Sequence, residues 1–173
     1  MKLNYRELLP EEFDAESRVW IYQSSRPFSL PETIWVEENI KKFTESWHSH
    51  GVKVKGYGNL FFEQFVILMA DETASGVSGC STDSSVHFMK EIEKNFNIRL
   101  FDRQILGFFI NDHVRLVPLS QLTMDVSKGL IHKESLYFNN TVSTKKELEN
   151  DWIIPLKDSW LFSRVKFPEG VTK

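Results

Sequence analysis

Residues 18–25 have the sequence RVWIYQSS, and this stretch decides the first element of the fold. In an extended chain, Val19 and Ile21 would lie on one side while Trp20 and Tyr22 would lie on the other. Both sides of the strand would then be apolar, which is typical of a strand covered on two faces. The pattern therefore predicts a β-strand in the centre of a sheet.

A helix is predicted to begin directly after this strand. Ser29 and Glu32 have the spacing of a capping box, in which each side chain accepts a hydrogen bond from a backbone N–H of the first helical turn. Gly51 is the predicted C-cap of this helix. Thr144 and Glu147 have the same spacing as Ser29 and Glu32 and predict a second, shorter helix. The predicted buried stripe of the first helix consists of Val36, Ile40, Phe43 and Trp47.

Two hairpins are predicted from turn-forming dipeptides. Gly58-Asn59 and Asn111-Asp112 each separate two apolar, alternating runs, and glycine, asparagine and aspartate are the residues that tight turns favour. The strands predicted to flank these turns are Val52–Tyr57, Leu60–Ala70, Ile105–Ile110 and Val114–Leu119.

The order of the predicted elements favours an α+β fold. A second helix is predicted from Ser81 to Asn97, with Val86, Met89, Ile92 and Phe96 as its buried stripe. The order strand, helix, strand, strand, helix, strand matches the split β-α-β arrangement of ferredoxin-like folds. We therefore expect a two-layer fold, with an antiparallel sheet covered by helices on one face and a C-terminal extension. No repeat or linker divides the chain, so we expect one domain over residues 1–173.

Composition excludes several classes of protein. The chain has 173 residues, with 21 basic and 24 acidic side chains and a net charge of −3, which does not match the basic footprint of a nucleic-acid-binding protein. The longest apolar run, Phe65–Ala70, is far shorter than a membrane-spanning helix. With Cys80 as the single cysteine, no intrachain disulfide or multi-cysteine zinc site can form. We expect a cytoplasmic protein without a membrane span, a nucleic-acid partner, a metal or a cofactor.

The segment Ser75–Phe88 (SGVSGCSTDSSVHF) is the main candidate for a functional site. It combines small residues, hydroxyl groups and the cysteine at the predicted start of the second helix, where unpaired backbone N–H groups favour bound ligands. Helical spacing places Cys80, Asp83, Ser84 and His87 away from the buried stripe, on one polar face. We expect this face to bind a small ligand or a protein partner through Cys80, Ser81, Thr82, Asp83, Ser84 and His87.

Three alternatives to this hypothesis are open. Ser81, Thr82 or Asp83 could serve only as the helix cap. Cys80 could be the nucleophile of a thiol enzyme, because a helix N-terminus lowers a thiol pKa. In that case its base would have to come from elsewhere, since His87 lies about 10 Å further along the helix. The chain could also be an interaction module that binds through exposed aromatic residues, with Trp35 and Phe28 as one candidate pair.

Parts of the chain resemble a family of short bacterial proteins without an assigned function. The segments that carry the resemblance are Ser17–Arg26 (SRVWIYQSSR), Ser78–Phe88 (SGCSTDSSVHF), Asp102-Arg103 and Phe138–Val142 (FNNTV). Members of this family are commonly named "ABC transporter ATPase", and that name implies a P-loop with a Gly-Lys pair around the phosphates. None of the eight glycines precedes a lysine, and no lysine or arginine occurs from Gly56 to Met89. The residues therefore predict that this protein does not hydrolyse ATP.

Overall fold

The computed structural model describes residues 4–49, 51–71 and 79–167, and at 79–81 it describes the backbone only. Within these ranges the chain forms four α-helices and nine β-strands. The helices are α1 (Leu30–Ser46), α2 (Gly79–Phe96), α3 (Leu122–Ser127) and α4 (Lys145–Asp151). The strands are β1 (Arg18–Gln23), β2 (His48–Ser49), β3 (Val52–Lys53), β4 (Lys55–Phe61), β5 (Phe65–Asp71), β6 (Ile105–Ile110), β7 (His113–Pro118), β8 (Leu136–Phe138) and β9 (Ile153–Pro155).

The first sheet has three antiparallel strands in the order β1-β5-β4. Its central strand is β5, in which all seven residues are buried. The prediction that residues 18–25 form the central strand is therefore wrong, since β1 is at one side of this sheet. The outer edge of β1 is covered instead by the segment before α4, where the Val19 N–H donates to the Ser143 carbonyl at 2.8 Å.

Both faces of this first sheet are covered, which explains the apolar residues on both sides of β1. Helices α1 and α2 pack on one face, where Tyr22 and Leu68 meet Ile40 and Met89. The opposite face packs against the N-terminal residues and against the segment from β8 to α4. The predicted two-layer α+β architecture, with antiparallel sheets and helices, is confirmed.

The second sheet has four antiparallel strands in the order β7-β6-β8-β9. In a ferredoxin-like fold the strand after α2 would pair with β1. Here that strand is β6, and it pairs with β7 and β8 instead. The first three strands of the split β-α-β order are thus present, and the fourth strand begins a separate sheet. Among the helices in the described ranges, none is both long and apolar enough to cross a membrane.

Helix α1 begins as predicted but ends earlier. The capping box is present, and the Glu32 carboxylate accepts the Ser29 N–H at 2.8 Å. The helix ends at Ser46, because Trp47 adopts an extended conformation and is buried beside Val54. Gly51 is therefore not the C-cap and has a φ of +80° after the short strand β2. The second capping box, at Thr144, is confirmed at the start of α4.

The first hairpin is confirmed, but its turn lies elsewhere. Gly58 and Asn59 lie inside β4, and the chain turns at Phe62 and Glu63, both with a φ of +54°. Gly58 is needed for packing, because a Cβ there would lie 2.6 Å from Cγ2 of Ile40 on α1. The second hairpin turns at Asn111-Asp112 as predicted.

The close approach of α1 to β4 at Gly58 leads to the first prediction. In Gly58→Ala the new methyl group would contact Ile40 and, at 2.8 Å, Cδ2 of Leu68, and both of these side chains are buried. We expect the free energy of unfolding to fall by about 1–3 kcal/mol, measured by urea denaturation. Gly51→Asn is the control, since space is open there and asparagine tolerates positive φ. A change below about 0.5 kcal/mol in Gly58→Ala would contradict this packing.

The α1 capping box leads to the second prediction, which concerns acid stability. Both guanidinium nitrogens of Arg26 donate to the Glu32 carboxylate, at 2.7 and 2.8 Å, and these bonds lower the pKa of Glu32 from 4.5 to about 2. A carboxyl group whose pKa is lowered by folding stabilises the protein above its ordinary pKa, and that contribution is lost as the pH falls from about 4.5 to about 2. We expect Glu32→Gln to flatten the decrease in melting temperature over this pH range.

The control for this measurement is Glu38→Gln, at an exposed position of the same helix. It should leave the acid dependence of the melting temperature as steep as in the unmodified protein. Equal acid dependence in Glu32→Gln and Glu38→Gln would show that the Arg26–Glu32 ion pair does not support the helix start.

Candidate functional site

The predicted site residues lie in the first turns of α2. Thr82 and Ser84 are half-buried, whereas Asp83 and His87 are exposed. The side chains of Cys80 and Ser81 lie outside the described part of the structure, so the roles predicted for them remain predictions. The helix itself begins at Gly79, two residues before the predicted start at Ser81.

The buried side of α2 fixes the direction in which these residues point. Met89 and Ile92 are buried as predicted, but Val86 is only half-buried and Phe88 is buried in its place. Ser85 is also buried, and its hydroxyl donates to the Thr82 carbonyl at 2.8 Å. The buried stripe of α2 therefore includes the Ser85 and Phe88 positions, which the sequence pattern left out.

A groove lies between α1 and α2, and it has a volume of about 800 Å³. We name it the α1–α2 groove. Three of the predicted residues line it, and the rest of its lining comes from the second half of α1, from the residues directly after α1, and from later turns of α2. Its lining residues are Asn39, Lys42, Phe43, Ser46, Trp47, His48, Asp83, Ser84, His87, Phe88 and Glu91.

The floor of the α1–α2 groove is aromatic. The rings of Phe43 and Phe88 are stacked, with centroids 4.7 Å apart and planes within 4° of each other. Trp47 packs against Phe43 at 5.0 Å and is almost completely buried. A Cβ at Gly56 would lie 2.8 Å from Cε3 of Trp47, so the glycine lets β4 approach the indole ring. These contacts hold the aromatic side chains in place between the two helices.

The wall formed by α1 presents hydrogen-bond acceptors and one cation. The Asn39 amide donates to the Trp35 carbonyl at 2.7 Å, and the Ser46 hydroxyl donates to the Lys42 carbonyl at 2.8 Å. The Ser46 hydroxyl has no further donor, whereas Asn39 keeps a second N–H, and the side-chain oxygens of both residues keep lone pairs for an acceptor role. Lys42 is exposed, and its ammonium group makes no ion pair with any residue that the structure describes.

The wall formed by α2 is acidic. His87 Nε2 lies 3.5 Å from the Glu91 carboxylate, and both side chains are exposed, so this pair is weak. Asp83 forms no ion pair with a residue in the described ranges, and the structure pairs His87 with Glu91 instead. The two walls of the groove therefore present opposite charges, with Lys42 on one side and Asp83 on the other.

The described residues form no metal site, and Phe28 and Trp35 form no exposed patch. In residues 4–49, 51–71 and 79–167, no group of three or more His, Cys, Asp or Glu side chains could hold a metal ion. Phe28 is buried, and Trp35 packs edge-on against Phe96 with centroids 5.2 Å apart. Phe28 and Trp35 thus take part in packing α1 against the end of α2 and do not form an exposed patch.

Sequence reasoning did not identify the α1 wall of the groove. It assigned Phe43 to the buried stripe, but the ring is only half-buried. It placed Lys42 on the solvated side of α1, paired with Glu38, and gave no role to Asn39 or Ser46. Asn39, Lys42 and Ser46 follow one another at spacings of three and four positions, so they share a helix face. The spacing indicates which residues share a face of α1, but it does not show that this face lies opposite α2.

Comparisons with models of known protein families, with curated proteins and with solved structures found no match to this chain. The resemblance to the bacterial family named after an ATPase therefore remains a prediction. The site has to be interpreted from its own geometry.

Proposed function

We propose that this protein binds a small zwitterionic molecule with an apolar side group, of the amino-acid class, in the α1–α2 groove. The observation that carries the proposal is the groove itself, where Asp83, Ser84 and His87 face α1 across the stacked rings of Phe43 and Phe88. Its volume of about 800 Å³ is in the range of small-molecule sites.

The charges on the two walls favour a zwitterion over an ion of one sign. Lys42 would pair with a carboxylate and Asp83 with an ammonium group, and such charge-assisted hydrogen bonds are stronger than neutral ones. A ligand with a single charge would leave one wall unpaired.

The aromatic floor favours a ligand with an apolar side group. Phe43 and Phe88 are held face to face and Trp47 is locked behind Phe43, so little side-chain entropy is lost when a ligand covers them. An apolar group packed against the exposed part of Phe43 would remove this surface from water.

Binding, rather than catalysis, is the activity that the groove supports. The alternative of a thiol enzyme that uses Cys80 stays a prediction, and it requires fast alkylation of the thiol near neutral pH. We also retain the proposal of a cytoplasmic protein with no nucleic-acid partner, which the composition supports.

The third prediction tests the proposed function with three probes that differ by one charged group. L-phenylalanine has both charges, 3-phenylpropionate lacks the ammonium group and 2-phenylethylamine lacks the carboxylate. We expect L-phenylalanine to bind the full chain most tightly in calorimetric titration. Lys42→Gln should weaken L-phenylalanine binding about tenfold, and Asp83→Asn should do the same, because each variant removes one charge-assisted hydrogen bond.

Lys41→Gln is the matched control, since Lys41 is exposed on the same helix and does not line the groove. It should leave the affinity for L-phenylalanine unchanged. The proposal is wrong if L-phenylalanine does not bind, or if Lys42→Gln and Lys41→Gln have equal effects.

A further inference from the structure

A second cavity lies at the end of β1, where it meets the second sheet and the C-terminal tail. We name it the inter-sheet cavity. Its volume is about 350 Å³, and its inner part is formed by the buried side chains of Tyr22, Leu106, Tyr137 and Phe138. This size is within the range of small-molecule sites. None of the residues that line it belongs to the α1–α2 groove.

The amide side chains in the inner part of this cavity are already bonded to one another. The Asn140 amide donates to Gln23 Oε1 at 2.9 Å, and the Gln23 amide donates to the Ile105 carbonyl at 3.0 Å. Burial raises the pKa of Tyr22, so its phenol stays protonated at neutral pH. Among the residues that the structure describes, none with a charged side chain forms the inner surface, which therefore offers a ligand mainly apolar contacts.

Two aromatic side chains stand at the mouth of the inter-sheet cavity, and both are unusually exposed. Phe101 is 40% exposed and meets Tyr22 edge-on, with ring centroids 5.5 Å apart. Trp160 is 41% exposed. Large aromatic residues that stay exposed beside a cavity offer flat faces to a ring of similar size.

Two arginines stand beside these rings. The Arg164 guanidinium carbon lies 4.9 Å from the centre of the Trp160 ring, and Arg103 also lines the cavity. Neither arginine makes an ion pair with a residue in the described part of the chain. Asp102, the one carboxylate among the described residues that line the cavity, lies 3.6 Å from Arg99 and accepts the Gln104 N–H at 3.0 Å. The mouth therefore has uncompensated positive charge.

We infer that the inter-sheet cavity binds a small anion with an aromatic ring. The ring lies between Phe101 and Trp160, and Arg103 and Arg164 donate to the negatively charged group. A guanidinium group suits either a carboxylate or a phosphate, because its planar N–H groups match two oxygens at once. This site is separate from the α1–α2 groove, and each can fail its test without affecting the other.

The fourth prediction tests this site with probes that share the ring or the charge. Phenyl phosphate and benzoate combine both features, benzyl alcohol has only the ring, and inorganic phosphate and acetate have only the charge. We expect phenyl phosphate or benzoate to bind the full chain at least about tenfold more tightly than benzyl alcohol, phosphate or acetate. The stronger of the two aromatic anions identifies the charged group that the site prefers.

Variants locate the binding. Arg103→Gln and Arg164→Gln should each weaken the aromatic anion about tenfold, and rising salt should weaken it further, since these contacts are solvent-exposed. Trp160→Leu should also weaken it. Lys166→Gln and Phe162→Leu are the matched controls, because they remove a charge and an exposed ring from the same tail outside the cavity.

Three results would overturn the inference. These are no binding of either aromatic anion, equal affinity for phenyl phosphate and inorganic phosphate, and unchanged affinity in the Arg103→Gln, Arg164→Gln double variant. Unchanged affinity in the double variant would show that Arg103 and Arg164 do not bind the anion and that the C-terminal tail only packs on the sheet. Lys42→Gln, which affects the α1–α2 groove, should leave phenyl phosphate and benzoate binding unchanged, so the two sites are tested separately.

Discussion

A chain of three side-chain hydrogen bonds connects the two main sheets, and the position of the inter-sheet cavity depends on this connection. Gln23 on β1 donates to the Ile105 carbonyl, Asn140 donates to Gln23, and the Trp152 indole donates to Asn140 at 3.1 Å. A Cβ at Gly107 would lie 2.8 Å from Gln23 Oε1, so only glycine leaves room there. Because the Gln23 side chain is buried and a buried polar group without a partner is costly, this relay holds the end of β1 against the second sheet.

The sequence predicts those parts of the fold that depend on neighbours in the chain. The capping boxes at Ser29 and Thr144 and the turn at Asn111-Asp112 are short-range features, and all three are present. The turn predicted at Gly58-Asn59 is wrong, because glycine at position 58 is required by a contact that is distant in sequence, the close packing of Ile40 on α1. The pairing of β6 with β8 instead of β1 is also a long-range choice, which no local pattern encodes.

The candidate site could be predicted in part for the same reason. Helical periodicity places Asp83, Ser84 and His87 on one face of α2, and these residues do line one groove. The opposing wall around Lys42 could not be predicted, because it depends on how α1 packs against α2. The inter-sheet cavity depends on contacts that are still more distant in sequence, since Arg103 and Arg164 are brought together only by the docking of the C-terminal tail.

The relay through Gln23 and Asn140 can be measured most directly by a double-mutant cycle. The free energy of unfolding in urea would be compared for the unmodified protein, Gln23→Ala, Asn140→Ala and the double variant. We expect a coupling energy of at least about 1 kcal/mol, because Asn140→Ala leaves the buried side-chain oxygen of Gln23 without its donor. Additive effects, within about 0.3 kcal/mol, would contradict the claim that this hydrogen bond joins the two sheets.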